Sequence, residues 1–320
     1  MNEKYLPLLA TIAVFIALFV IGGFLYNNFL STLVLGDILA DNAFIITAAI
    51  GTTFVILSGG IDLSIGSMIG FVGVVIANLD VVGWHPLVSA AMMLGFGLAF
   101  GALQGLIIDF CEIQPFIVTL AGLFLLRGSC FMINLDSVPI RHPFVASFAA
   151  ASIPLPGGGF LASSAIVMLI SLAVAIALAH FTRFGANVYA IGGDRTSAAL
   201  MGVPMRRTTV AIYALGGFYS ALGGVIYAFY TSSGYPLAGT GNELTAIASV
   251  VLGGTMLTGG IGMVAGTLFG GMIFGLIATL INFNGSLNGA WIMISGGILL
   301  FLFIVLQRSI VGSLRLGRTT

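Results

Sequence analysis

The chain has 320 residues, of which 59% are hydrophobic and only 6% charged, with Lys+Arg and Asp+Glu balanced at 10 each. Soluble domains carry about 25% charged residues, and a water-soluble core of this length cannot hide so much apolar surface. The composition therefore excludes a soluble globular enzyme, makes lipid the solvent, and gives no sign of a nucleic-acid partner.

A bilayer core takes about 20 apolar residues per helix. Residues 1–20 hold one lysine and then an apolar run without a convincing small-residue cleavage site, so they read as a first span and not as a leader. Six candidate spans precede the middle of the chain, over roughly 7–26, 36–57, 63–79, 86–108, 115–133 and 163–180. Four follow it, over roughly 208–230, 244–257, 262–283 and 288–307. The stretches 63–79 and 244–257 are short and interrupted by glycine, so the count lies between eight and ten. The expected fold class is an all-α polytopic membrane protein of about ten helices, one transmembrane domain over 1–320.

Basic residues in short loops orient such a chain. Lys4 precedes the first span, Arg183, Arg195, Arg206 and Arg207 cluster in 181–207, and Arg308, Arg315 and Arg318 lie in the tail. Ten spans with both termini cytoplasmic place all three groups on the cytoplasmic side. The stretch 134–162, with Asp136, Arg141, His142 and the run Pro154 to Gly159, is then the longest external loop and carries turn chemistry. Segments 231–243 and 284–288 are external too.

The chain echoes itself at an offset of 200. Leu57-Ser58-Gly59-Gly60-Ile61-Asp62 is repeated as Leu257-Thr258-Gly259-Gly260-Ile261-Gly262, and Asn42, Gly66, Ser67 and Gly70 match Asn242, Gly266, Thr267 and Gly270. The pattern reads as a duplication with halves of about 1–180 and 208–320 around a cytoplasmic segment 181–207. Transporters of duplicated design place substrate paths at glycine-interrupted segments. Six predicted spans separate the copies, which implies a parallel repeat. An inverted one needs an odd separation, and the two short spans leave that alternative open.

Two stretches hold candidate functional residues. In Leu57 to Gly66 a glycine pair breaks a helix, and Asp62 and Ser64 then bring polar groups to membrane depth. Irregular backbone is tolerated there only inside protein or along a watery cavity, and an intramembrane carboxylate is a functional candidate by default. Gly59, Gly60, Asp62, Ser64, Asn42, Gly259 and Gly260 are the candidates for a path or gate. Asp62 has a plainer reading as the N-cap of the next helix, compatible with the first. The second stretch, Arg183 to Arg207, reads as a short helix set off by Gly192-Gly193, capped by Asp194 and ended at Gly202-Val203-Pro204, a docking helix for a cytoplasmic partner or an interfacial amphipathic helix. Asp37, Asp41, Asn42, Asp109, Glu112, Arg127 and Glu243 lie near predicted span ends and read mostly as boundary groups, solvated or paired, with a second reading in which Arg127, with Asn134 or Asp136, lines the external half of a path. Cys111 and Cys130 read as free buried thiols. No nucleotide-binding loop, nucleophile elbow or metal-binding spacing occurs, so no catalytic residue, metal or bound cofactor is expected, and ATP hydrolysis has to come from elsewhere.

The run Gly51 to Ser67 resembles the signature of the ribose/xylose/galactofuranose class of ABC-importer permeases. Phe116 to Gly122, Thr182 to Gly185, Tyr189 to Gly193 and Val250 to Thr255 carry the same likeness over nearly the whole chain. Leu39 to Phe44, Gln307-Arg308 and the loop near Pro154 are most similar to the galactofuranose member. The resemblance implies an inner-membrane permease that pairs with an identical or homologous permease. It implies a cytoplasmic ATPase carrying ATP and magnesium, and a periplasmic sugar-binding protein. Segment 183–207 would couple to the ATPase through Arg183, Asp194, Ala198, Ala199 and Gly202, although Ser197 stands where the pattern has glutamate. The substrate implied is a galactofuranose- or ribose-like monosaccharide. Nucleosides or branched-chain amino acids are the alternative, and an ion-coupled secondary transporter is a second one, for which few intramembrane charges are available.

Overall fold

The computed structural model describes residues 6–285, 289–292, 294–302 and 305. Lys4, Gln307 and the tail arginines Arg308, Arg315 and Arg318 lie outside these residues. In chain order the elements are α1 (Leu6–Leu25), α2 (Thr32–Leu57), α3 (Ile65–Val81), α4 (Pro86–Phe110), α5 (Pro115–Ile133), β1 (Val138–Pro139), α6 (Pro143–Ala150), β2 (Ser152–Pro154) and β3 (Phe160–Ala162). There follow α7 (Ser163–Phe181), α8 (Arg183–Gly193), α9 (Arg195–Leu200), α10 (Met205–Thr231), β4 (Ser233–Gly234), α11 (Asn242–Leu252) and α12 (Val264–Asn284). Seven helices are long and apolar enough to cross a membrane, and α3, α11 and a helix over Ala290–Leu302 are shorter apolar ones. Each predicted span from 7–26 to 262–283 overlaps a helix, the last one, 288–307, lies partly outside the described residues, and the chain is an all-α, multi-pass membrane protein.

The helices begin where the sequence supplies caps. Ser31 accepts from the Val34 N–H at 3.3 Å ahead of α2, and the His85 and His142 imidazoles do the same for Leu87 and Phe144 at the proline-started helices α4 and α6. The core is built on α2, buried without interruption from Ile45 to Leu57, and on α10, which packs against α2, α3 and α4. Gly97, Gly101 and Gly105, spaced four residues apart, form a stripe on α4 that lies directly on the α10 backbone; a side-chain carbon at Gly97 would sit 2.6 Å from the Gly217 carbonyl. Close backbone approach through small residues is how helices associate when burial from water offers little.

The two ends of the bundle are finished differently. At one end, the segments after α2, α4 and α7 and the loop between α11 and α12 converge. At the other, β1 pairs antiparallel with β4, β2 with β3, and the Arg141 N–H donates to Asp80 Oδ2 at 2.8 Å. The stretch 134–162, read from sequence as a loop, is therefore a small folded layer. Its glycine turn is fixed by the Thr32 hydroxyl, which donates to the Pro156 carbonyl at 2.8 Å.

Two further expectations change. The predicted span 244–257 is helical only from Asn242 to Leu252, 11 residues or about 16 Å, roughly half of a bilayer core. Gly254 has φ +91°, a region open mainly to glycine, and α12 needs the space at Gly253, whose side-chain carbon would fall 2.5 Å from the Gly266 carbonyl carbon. The buried Thr11 hydroxyl lies 2.6 Å from the carbonyl of Leu252 and caps the broken end. Cys130 is buried as expected, but Cys111 is exposed, because it follows α4 at the surface of the bundle.

Candidate functional site: two glycine turns and the segment between them

Helix α2 closes at Ser58, and the chain reverses at Gly59, with φ +80°. The Gly59 N–H returns to Ile56 O and the Gly60 N–H to Val55 O, both at 2.9 Å, so the carbonyls freed at the helix end are satisfied as in a glycine C-cap. Gly60 has no room for a side chain because the Tyr213 hydroxyl occupies that place. Asp62 is 2% exposed. Its Oδ1 accepts from the Ser64 N–H at 2.8 Å and the Ser64 hydroxyl at 2.7 Å. This corrects the expected cap: Ser64 occupies the N-cap position of α3, with no side-chain capping bond, and Asp62 fixes the turn that leads into it.

Gln104 and Tyr213 complete this polar nest and were missed in the sequence. Gln104 Oε1 lies 3.5 Å from Ser64 Oγ, and its Nε2 is buried without a partner among the described residues. The Ser64 proton is committed to Asp62, so the Gln104 amide turned over would donate to Ser64 and gain that partner. The Tyr213 and Thr119 hydroxyls each stand 3.5 Å from the Ile61 carbonyl. Among the described residues the ion pairs are those of Asp109 with Arg195 and Arg206, so donors from Ser64, not a cation, hold the Asp62 carboxylate.

The second turn is built otherwise. Gly259 and Gly260 have φ +84° and +75°, the Gly259 N–H donates to Met256 O at 3.0 Å, and the Met256 N–H donates to Ile261 O at 2.9 Å. Gly262 stands where the first copy has Asp62. A side-chain carbon there would fall 2.5 Å from Thr255 Oγ1, so no aspartate fits, and the two halves differ for a steric reason.

The turns meet each other. The Gly260 N–H donates to the Leu57 carbonyl at 2.9 Å, and a side-chain carbon on Gly259 would lie 2.8 Å from Gly59 N. Gly192 of α8 is wedged against both: a carbon there would overlap the Leu57 carbonyl and lie 2.5 Å from Gly260 N. The Tyr189 hydroxyl donates to Gly262 O at 2.9 Å. Beside this junction a cleft of about 700 Å³ opens, lined by His180, Thr182, Tyr189, Gly260, Ile261 and Met263 among others. Four candidates from the sequence, Gly59, Gly60, Gly259 and Gly260, are thus brought together with Asp62 and Ser64 alongside. Asn42 is not among them. It lies more than four turns back along α2, about 25 Å by the helical rise, donates to its own Ile38 carbonyl at 2.8 Å and packs on Gly275 of α12.

The segment 182–204 holds two helices where one was expected. Thr182 caps α8, accepting from the Gly185 N–H at 3.2 Å. Asp194 caps α9, accepting from the Ser197 N–H at 2.6 Å, and the Ser197 N–H and hydroxyl hold its carboxyl below the ordinary carboxylate range. Gly202, φ +80°, ends α9 with its N–H on Ala199 O at 3.0 Å. Ala198 is fully buried, which corrects its placing as a contact for a partner: it anchors α9, whose exposed side includes Ala199 and Leu200, followed by the C-cap Met201, the last two 85% and 71% exposed. Arg183 is exposed at the start of α8. Asp109 at the end of α4 ties the segment down, 3.2 Å from Arg195 and 3.1 Å from Arg206.

Arg127 is a paired group. It donates to the Pro236 carbonyl and, at 2.9 Å, to that of Ala238, while Asn134 donates to Asn78 at 2.9 Å. Arg127 thus satisfies irregular backbone leading into the half-length helix α11, away from Asn134.

The family described as "Branched-chain amino acid transport system / permease component" matches residues 34–304. The inner membrane ABC transporter permease protein YjfF of Escherichia coli K12 is 50% identical over 97% of this chain and 94% of its own length. The fructose import permease protein FruG of Bifidobacterium longum is 33% identical over 97% and 93%, and the ribose import permease protein RbsC of Escherichia coli K12 is 37% identical over 81% and 80%. No solved structure matches the chain.

Proposed function

The chain belongs to the branched-chain amino acid transport system / permease component family, and from that premise we propose that it is the permease subunit of an ATP-driven inner-membrane importer for a monosaccharide. The observation that carries the reading is similarity over 97% and 81% of the chain to permeases whose names specify fructose and ribose import. A cytoplasmic ATPase, a periplasmic binding protein and a second permease complete the assembly, with ATP and magnesium held by the ATPase. The end of the bundle bearing the glycine turns, Arg183, Arg195, Arg206 and Arg207 is the cytoplasmic end, a reading supported by the distribution of basic residues. The ATPase docks on α9 through Ala199, Leu200 and Met201, on a helix held by Asp194, Ala198 and Gly202 and flanked by Arg183. The paired glycine turns with Asp62 and Ser64 gate the path. Asn42 belongs to the packing of α2 on α12, nearer the other end.

The family description names amino acids while FruG and RbsC are named for the import of sugars, so the substrate class is tested separately. Reconstituted in proteoliposomes with its ATPase and binding protein, the chain should take up a monosaccharide, of galactofuranose or ribose type, only when ATP is supplied. Uptake by the chain alone on an ion gradient would overturn the reading, and a binding protein that takes branched-chain amino acids or nucleosides and no sugar would overturn the substrate.

A further inference from the structure

We infer that Gly192 of α8 is the residue through which the docking segment acts on both glycine turns at once, making it a coupling residue of the transport cycle; this rests on the importer reading above. The docking helix α9 follows α8 in the chain and packs against it. It is joined through Asp194 to the last turn of α8, and there Gly192 lies against Leu57 O, at the end of α2, and Gly260 N, at the head of the segment into α12. Those two atoms are themselves hydrogen-bonded at 2.9 Å. A displacement of α8 therefore bears on the backbone bond that joins the two glycine turns. Tyr189, one turn earlier on α8, adds a second grip through its 2.9 Å bond to Gly262 O, so α8 cannot move without the second turn following or that bond breaking. Packed junctions of this kind have discrete arrangements and do not deform continuously, which is how small helix shifts are relayed.

The sequence supplies an internal control. Gly192 and Gly193 are neighbours, yet a side-chain carbon on Gly193 meets nothing within 4 Å while one on Gly192 runs into the Leu57 carbonyl. Both have ordinary helical backbone, so neither substitution is strained by its φ angle.

The test is the number of sugars taken up per ATP hydrolysed, measured in proteoliposomes of the full complex carrying Gly192→Ala, Gly193→Ala or Tyr189→Phe, with assembly checked by co-purification of the ATPase. Gly192→Ala should lower the ratio about tenfold or more, the range of a coupling free energy between sites, with the complex intact and ATP hydrolysis retained. Gly193→Ala should stay within about twofold, and Tyr189→Phe should fall between them. Should Gly192→Ala fail to assemble, Tyr189→Phe decides alone, since it removes one hydrogen bond and fills no new space. Wild-type coupling in Tyr189→Phe, or equal losses at Gly192 and Gly193, would overturn the inference. Wild-type uptake that needs no ATPase would instead overturn the importer reading.

Discussion

The two glycine turns share a sequence pattern and a location but not a construction. The first follows a helix buried to its last residue and is fixed by side chains: Asp62 receives two bonds from Ser64, with Gln104 and Tyr213 around it. The second follows a helix cut short at Leu252, is fixed by backbone bonds across the loop, and carries Gly262 where a side chain would strike Thr255. Duplication supplied two similar halves. The difference teaches that one copy keeps a polar, side-chain-held hinge while the other gives up side chains so that α12, α8 and the first turn can close on it.

The comparison breaks most readily at Gly260. Its φ of +75° and the 2.8 Å approach of a side-chain carbon to Gly193 Cα make Gly260→Ala both strained and crowded, whereas Gly59→Ala carries the strain with only Thr258 O nearby at 3.7 Å. Gly59→Ala should cost about 1–2 kcal/mol, and Gly260→Ala about 1–3 kcal/mol more from overpacking. Thermal unfolding midpoints in detergent, together with uptake, would show the order, and equal losses would dissolve the claimed asymmetry.

The next largest effect is expected at Asp62. Asp62→Ala leaves a buried N–H and hydroxyl of Ser64 unpaired, which costs about 1–3 kcal/mol. Asp62→Asn keeps an accepting oxygen and should retain most uptake and stability, since no described cation stands within ion-pair distance to lose. Transport assays of the two variants separate a turn-holding carboxylate from one whose charge is needed; abolished uptake in a well-assembled Asp62→Asn complex would assign the latter.

A smaller effect marks the second copy. Thr11→Val removes the hydroxyl at the Leu252 carbonyl and should lower stability by about 1 kcal/mol, with Thr11→Ser restoring it. The smallest is at Asp109: its partners Arg195 and Arg206 are more than half exposed, so Asp109→Asn should change stability by less than about 1 kcal/mol. It should instead loosen the docking segment, seen as faster amide hydrogen exchange over 195–206.

Much of this was legible because lipid imposes a simple rule on length and polarity. The long spans, the glycine breaks after Leu57 and Leu257 and the Asp194 cap of α9 follow from composition and turn chemistry. What escaped depended on three-dimensional neighbours. The glycine interruption of 244–257 is visible in the sequence, but that the helix stops at Leu252 shows only when Gly266 is seen to need the space at Gly253. The sequence reading of 183–207 has one helix, capped by Asp194; α8, capped by Thr182, escapes it because Gly192-Gly193 reads as a break and not as the last turn of a helix. That Ala198 faces inward while Leu200 and Met201 face out depends on where α9 is anchored. Gln104 and Tyr213 carry no local signal at all: each is one polar group in an apolar helix until the turn packs against it.

The most direct test of the account is whether the two turns touch. In a chain with Cys111 and Cys130 replaced by serine and cysteines placed at Ser58 and Thr258, a short bismaleimide should cross-link the pair within one polypeptide in native membranes and arrest uptake. Free labelling of both cysteines by a monofunctional maleimide, with no cross-link from the bifunctional one, would contradict the junction on which the account is built.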